Sequence, residues 1–275
     1  MSDNWDKYFF QSSPLFFPIE PAHSQLQCSE SQWPGLDEYN QVILTRNDKI
    51  INGNGKTIRF VPQLAKADDF ESQYEPLTFL KGEVQTRLNS WHDFFQVLVW
   101  STFPKAKSTI NALHYQAALQ RHQRDPGNKQ RTRLENFLTL FDECGSVIVY
   151  SDEKLKTFIQ NFQWSDIFVE HRAAFSRQIE CIVFGHAMYE KALQPYIGMT
   201  THCLFLQQPS SFFALSTPEK TAIIDKEITT ILEQTEDWTP RQLQPLPILG
   251  IPGWYAANEN PDFYLNQDYF RPKRR

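Results

Sequence analysis

WHDFFQVLVW, residues 91–100, is the densest aromatic stretch of the chain, and FPK at 103–105 and NALH at 111–114 follow it. Apolar side chains cover most sides of 91–100, which predicts a buried helix. Ser90 and Asp93 form a short version of the capping box, so we expect the helix to begin there. Pro104 ends that helix and fits the first turn of another. The stretch therefore predicts two helices joined at Pro104.

The second helix carries two stripes of different polarity. Ala106, Ile110 and Ala117 repeat at helical spacing together with Leu113, which predicts a face turned toward the core. Asn111 and His114 begin a neighbouring, more polar stripe. This stripe places a histidine beside the predicted core.

Composition indicates the fold class. A chain of 275 residues with 22 Phe and 7 Trp has enough apolar surface for one core. Only 10 glycines leave few tight hairpins. We therefore expect an α+β fold, a mainly helical single domain with small β-hairpin elements. The predicted division is an N-terminal wrapping segment with a short helix at 1–50, the globular domain at 51–272 and a basic tail at 273–275.

Charge and cysteine usage exclude several classes of protein. The net charge of −5 excludes a strongly cationic protein and disfavours nucleic acid as a partner. Four widely spaced cysteines are typical of reduced thiols, which predicts a cytoplasmic location. The polar N-terminus lacks the pattern of a secretion signal, and no apolar run is long enough to cross a bilayer.

Local patterns predict the remaining elements. NGNG at 52–55 predicts a turn, followed by a strand at 57–61. We expect a basic exposed loop at 121–133 and an ordered, extended segment at 245–254, which is too proline-rich for a helix or a central strand. Gly185 in an apolar helical pattern predicts close approach of another backbone. The other expected elements are helices at 36–46, 152–162, 165–194 (continuous or broken near 172) and 217–234 (Thr217 as cap), a second strand at 77–84 and a β-hairpin at 137–150.

Five motifs occur in a fixed order along the chain. They are WHDFF at 91–95, FPK with NALH at 103–114, LTLFDE at 138–143, VFGHA at 183–187 and PLPILGIPGW at 245–254. With FY at 263–264 and FRP at 270–272, this order resembles the bacterial family catalogued as domain of unknown function 3025, over roughly residues 50 to 272. Gln96 stands where the resemblance implies Asn. The resemblance implies no established activity.

Six ionisable residues lie within these motifs, in the most apolar parts of the chain: His92, Asp93, His114, Asp142, Glu143 and His186. Buried ionisable groups are costly unless they are paired, so we expect these six to meet in one pocket. Imidazole and carboxylate groups can hold a divalent metal or act as a general acid–base pair. No HExxH motif, nucleophile elbow or phosphate-binding glycine loop specifies the chemistry further.

Each candidate also has a structural interpretation. Asp93 fits a helix-capping carboxylate, and His186 fits a core histidine with a satisfied hydrogen bond. Asp142 and Glu143 precede Gly145, where turn residues belong. These interpretations stay open at the level of the sequence.

Three functions are compatible with the sequence. The first is a non-catalytic binding or interaction domain that uses exposed aromatics, such as Trp254 or Phe263, to engage a protein or a small molecule. The alternative is a hydrolase or acid–base enzyme, with or without a divalent metal, that uses the six candidates. The third is weak nucleic-acid binding through 121–133 and 271–275.

Overall fold

The computed structural model describes residues 4–26, 28–44, 49–64, 69–235 and 237–273. Most of them lie in helices, which confirms the mainly helical α+β class. The helices are α1 (Glu20–Ser24), α2 (Leu36–Leu44), α3 (Tyr74–Lys81), α4 (Trp91–Thr102), α5 (Pro104–Arg124), α6 (Arg133–Cys144), α7 (Glu153–Gln160), α8 (Arg172–Gln178), α9 (His186–Ala192) and α10 (Thr217–Gln234). Short 3₁₀ helices and a π-helical turn at Asp166–Glu170 connect them. No helix in these ranges is long and apolar enough to span a membrane.

In the described ranges, six strands form two sheets. They are β1 (Arg59–Pro62), β2 (Glu83–Thr86), β3 (Gly145–Tyr150), β4 (Ile179–Val183), β5 (Thr200–Gln207) and β6 (Gln244–Pro247). β1 and β2 pair in parallel, and the larger sheet has the order β4-β3-β5-β6. β3 runs antiparallel to β4 and parallel to β5, while β6 is an antiparallel edge strand. All six residues of β3 are buried, as expected for a strand covered on both faces.

The two central helices occur where the sequence predicts them. α4 begins after Ser90, whose hydroxyl accepts a hydrogen bond from the Asp93 N–H, and α5 begins at Pro104. Ten residues of α4 are buried, because the helix packs against α9, α1 and α5. This confirms a buried helix as the centre of the fold.

The predicted strand at 77–84 is wrong over residues 77–81, and only its end, at 83–84, lies in a strand. Residues Tyr74–Lys81 form α3, and the helix ends at Gly82, whose φ of 75° is the left-handed conformation that favours glycine. The strand β2 starts only after this glycine. The apolar residues of 77–80 satisfy a helical face as well as a strand, and helical packing against α5 decides between them.

The predicted hairpin at 137–150 is also wrong. Its first half belongs to α6, which starts with a capping box formed by Thr132 and Glu135. Phe137, Leu138 and Phe141 then fall on one buried helical face. Only the second half, β3, is a strand, so no tight turn joins two strands here.

The long helix expected at 165–194 is interrupted by a strand. Residues Ile179–Val183 form β4, and α9 starts anew at His186. A run of buried apolar residues of this length fits either element, and the free edge of β3 selects the strand. The prediction of close approach at Gly185 is confirmed, since a Cβ there would lie 2.4 Å from the Glu143 carbonyl oxygen. Gly185 therefore brings the start of α9 against the end of α6.

The remaining predictions fare better. α2, α7 and α10 are helices, although Ser216 rather than Thr217 caps α10, and residues 45–46 of the first predicted helix lie outside the described ranges. The 245–254 segment contributes the edge strand β6. Phe9, Leu15 and Phe16 of the N-terminal segment join the core. The division at residues 50 and 272 stays a prediction, and residues 274–275 of the basic tail are not among those described.

Candidate functional site

One cavity of about 560 Å³ is lined by all six candidate residues. The first turn of α4 supplies His92 and Asp93, and α5 supplies His114. The C-terminal end of α6 supplies Asp142 and Glu143, and His186 is the first residue of α9. The Gly185 contact explains this convergence, because it brings His186 beside the last turn of α6. The expected meeting in one pocket is thus observed, whereas the chemical roles stay predictions.

The imidazoles of His92 and His186 face each other at the bottom of this cavity. The Nδ1 atom of His92 lies 2.9 Å from a carboxylate oxygen of Glu190, and the Nδ1 atom of His186 lies 2.8 Å from the carbonyl oxygen of Asp142. The two Nε2 atoms are 3.0 Å apart. His186 is 2% exposed, so no bulk solvent separates the rings.

The partners of the two Nδ1 atoms determine the tautomers. A carbonyl or carboxylate oxygen only accepts hydrogen bonds, so each Nδ1 must carry the proton that it donates. In neutral rings both Nε2 atoms then present lone pairs, and two lone pairs at 3.0 Å repel unless a cation lies between them. The arrangement therefore calls for either one shared proton or a metal ion.

Glu143 completes a set of three metal-binding groups. Its carboxylate and the ring nitrogens of His92 and His186 offer ligand atoms that all lie within 4.8 Å of one another. Two nitrogens bound tetrahedrally to zinc at about 2.0–2.1 Å are separated by about 3.3–3.4 Å, a few tenths of an ångström more than the 3.0 Å between the Nε2 atoms. Two imidazoles and one carboxylate form a ligand set found at catalytic metal sites, where a further position stays open.

Charges behind the histidines support their orientation. The Nζ atom of Lys107 donates to Asp142 at 2.5 Å and lies 5.3 Å from the centre of the Trp100 ring. Burial alone would raise the pKa of the Asp142 carboxyl, but Lys107 and His186 bring this pKa below its usual value. Asp142 is therefore an anion, and one of its carboxylate oxygens lies 3.7 Å from the Nδ1 atom of His186.

The two facing histidines have different affinities for protons. The hydrogen bond that His92 donates to the Glu190 carboxylate raises the pKa of His92, against the effect of burial. Burial lowers the pKa of His186 to about 4. In the absence of a metal ion, a proton at this site therefore resides on His92.

Asp93 and His114 lie at the cavity but outside the group of three. The Asp93 carboxylate accepts hydrogen bonds from the backbone N–H and the guanidinium of Arg87, at 2.5 to 3.0 Å, rather than from the N–H groups of its own helix. These bonds hold the chain segment before α4, and Asp93 lies outside the three groups that could hold a metal ion. The Nε2 atom of His114 lies 3.2 Å from the Thr139 hydroxyl. Its Nδ1 atom is buried and has no hydrogen-bond partner among the residues that the structure describes.

The sequence interpretation missed Glu190 and Lys107. Glu190 lies four residues after His186 on α9, and this helical spacing was the available signal. The predicted helix at 165–194 contained both His186 and Glu190. It could not show that His92, from another helix, lies against these two residues. Lys107 gave no signal, because an ordinary lysine near a helix start is usually exposed.

A family model described as "Protein of unknown function (DUF3025)" matches residues 58–274. The match includes all six candidate residues and all five motifs. No curated protein and no solved structure matches the chain.

Proposed function

We propose a metal-dependent hydrolytic enzyme, and we start from the fact that the chain belongs to the DUF3025 family, whose description names no activity. The observation that carries the proposal is the pair of Nε2 atoms 3.0 Å apart, with both Nδ1 atoms committed to acceptors and Glu143 beside them. His92, His186 and Glu143 would hold one divalent ion.

The donor set favours zinc or another first-row transition metal. Imidazole nitrogens suit zinc and iron, whereas magnesium and calcium prefer oxygen ligands alone. Glu190 behind His92 and the Asp142 carbonyl behind His186 match the outer partners that orient metal-binding histidines. With three protein ligands, the remaining coordination positions would face the cavity.

A divalent ion at such a site lowers the pKa of a water ligand and polarises a carbonyl or phosphoryl oxygen of a substrate. The protein supplies the remaining parts of the reaction. His114 lines the same cavity, so we assign it the transfer of a proton to the leaving group. The cavity of about 560 Å³ has the size of a site for a small molecule, which is the proposed partner.

The other two functions have less support. Trp254 and Phe263 are half-buried and pack against the core, so neither provides the exposed patch that an interaction domain needs. In the basic segment, Arg121 is bound to Glu135 and to a backbone carbonyl. All four cysteines are free thiols rather than disulfides, which supports a cytoplasmic location as part of the proposal.

Metal analysis of the purified full-length protein tests the proposal. We expect about one equivalent of zinc or iron per chain, and loss of nearly all of it in His92→Ala, His186→Ala and Glu143→Gln. His122→Ala is the matched control, because this histidine lies on α5, stacks on Phe70 and does not line the cavity. The control should retain the metal.

Hydrolysis of p-nitrophenyl acetate and of bis(p-nitrophenyl) phosphate supplies the second readout. A chelator should abolish the activity, zinc should restore it, and His114→Ala should lower the rate while leaving the metal content unchanged. A protein that stays metal-free after incubation with zinc, iron and manganese contradicts the metal site. Activity that persists without metal would instead support the acid–base enzyme, in which one proton lies between the two Nε2 atoms.

A further inference from the structure

We propose that a second cavity, which shares no lining residue with the histidine site, binds an organic phosphate. This C-terminal cavity has a volume of about 1100 Å³. The residues on which the argument depends come from three segments of the chain and are Phe162, Trp164, Arg241, Asp268, Arg271 and Lys273. The proposal does not depend on the hydrolytic activity.

The lining of this cavity is mostly positive where it is charged. Arg241, Arg271 and Lys273 line the cavity, and Asp268 is its one acidic lining residue. None of the three basic side chains forms an ion pair with a described residue. Since the chain as a whole carries a net charge of −5, three cations against one carboxylate around one cavity are a local excess of positive charge. Such a concave cationic surface concentrates anions.

The cations are held in place by neutral acceptors. The Nε atom of Arg271 donates to the carbonyl oxygen of Asp268 at 3.0 Å, and the Nζ atom of Lys273 donates to the amide oxygen of Asn161 at 3.1 Å. The indole N–H of Trp164 fixes the Arg271 carbonyl at 2.8 Å. These bonds position both side chains without cancelling their charge. The terminal guanidinium nitrogens of Arg271 are thereby left for a ligand.

The chemistry of the lining selects the ligand class. Guanidinium groups bind phosphate oxygens through two parallel hydrogen bonds, and an ammonium group adds a point charge. Phe162 and Trp164 meet edge to face with ring centroids 5.3 Å apart and give the cavity an aromatic wall. A phosphate attached to a flat organic group would use both features. Nucleic acid fits less well, because the overall charge of the chain repels a long polyanion.

Isothermal titration of the full-length protein with inorganic pyrophosphate and with adenosine 5′-monophosphate, at low ionic strength, tests this site. We expect binding that weakens about tenfold or more in Arg271→Gln and in Arg241→Gln, because each removes a charge-assisted hydrogen bond. Arg177→Gln is the matched control, since Arg177 is exposed and lies outside the cavity. His186→Ala should bind both probes as the unaltered protein does.

Four results would overturn the proposal. They are no binding of either probe at millimolar concentration, an equal loss in Arg177→Gln, a loss in His186→Ala without one in Arg271→Gln, and binding of single-stranded oligonucleotides alone. The second result would mean diffuse surface charge, the third a phosphate bound at the histidine site, and the fourth a nucleic-acid surface.

Discussion

Two buried regions of the molecule hold histidines in opposite ways. His23 lies among the rings of Phe9, Phe10 and Phe94, and neither of its ring nitrogens has a hydrogen-bond partner in the described ranges. His186 is just as buried, but its Nδ1 atom is fixed by a carbonyl and its Nε2 atom meets another imidazole. Burial lowers the pKa of both histidines to about 4.

The difference shows that burial and a perturbed pKa do not by themselves make a site. His23 is tolerated as a neutral aromatic ring and needs only packing. The rings of His92 and His186 are instead held by hydrogen bonds to Glu190 and to the Asp142 carbonyl. Ordering and burying these polar groups costs free energy that apolar packing does not require. Oriented partners, rather than burial, therefore distinguish the His92–His186 pair from His23. The following predictions test whether the two regions respond differently to substitution.

The largest effect is expected from Asp142→Asn. This substitution leaves the ammonium group of Lys107, whose side chain is 4% exposed, without its anionic partner. Loss of one member of a buried ion pair costs about 3–5 kcal/mol in the free energy of unfolding. Urea denaturation measures the loss, and the double variant Lys107→Met with Asp142→Asn should recover much of it. A loss under about 1 kcal/mol would mean that the pair of Lys107 and Asp142 contributes no more to stability than an exposed ion pair does.

A smaller effect is expected from His23→Leu, and it should depend on pH. Below a pH of 6.5 an unfolded histidine binds a proton, whereas folded His23 stays neutral down to about 4. The unfolded chain therefore gains protons first, and the free energy of unfolding falls as the pH drops through this window. His23 alone should cost about 2 kcal/mol between about pH 7.5 and pH 5.

The leucine variant should lack this part of the acid sensitivity while folding normally at neutral pH. Urea midpoints measured at both pH values for the two proteins provide the comparison. Identical acid sensitivity in the variant would show that His23 has a polar partner after all.

The smallest effect is expected from Glu190→Gln. The amide oxygen can still accept the hydrogen bond from His92, but the negative charge behind the ring is lost. We expect zinc affinity to weaken about tenfold, as for other carboxylates that orient a metal-binding histidine. Competition with a fluorescent chelator measures the affinity, and Glu233→Gln, an exposed position on α10, is the matched control. Equal affinities of the two variants would remove Glu190 from the site.

The sequence predicted the helical framework, and the six residues that line one cavity, better than it predicted the β-structure. Ser90 and Pro104 mark the ends of α4 and α5 through local chemistry, so both helices were found. β4 and β5 depend on pairing with β3 across long stretches of chain, and no local pattern contains that information. The apolar run that ends at Val183 was accordingly assigned to a helix.

The site followed from a general argument rather than from a motif. Six ionisable residues in apolar surroundings had to find partners, and all six line one cavity. Their separate roles required distances. Asp93 is occupied by Arg87, while Glu190, which had not been selected, orients His92. Such distinctions arise from contacts between helices and were therefore beyond the sequence.

The central claim is that both Nε2 atoms of the His92–His186 pair present lone pairs to one cation. Long-range ¹H–¹⁵N correlation spectra of the chelator-treated protein, recorded before and after addition of zinc, test it most directly. The account predicts a proton on the Nδ1 atom of both rings, a shift of both Nε2 resonances on addition of zinc, and no change at His23. Unchanged Nε2 resonances of His92 and His186 in the presence of zinc would contradict it.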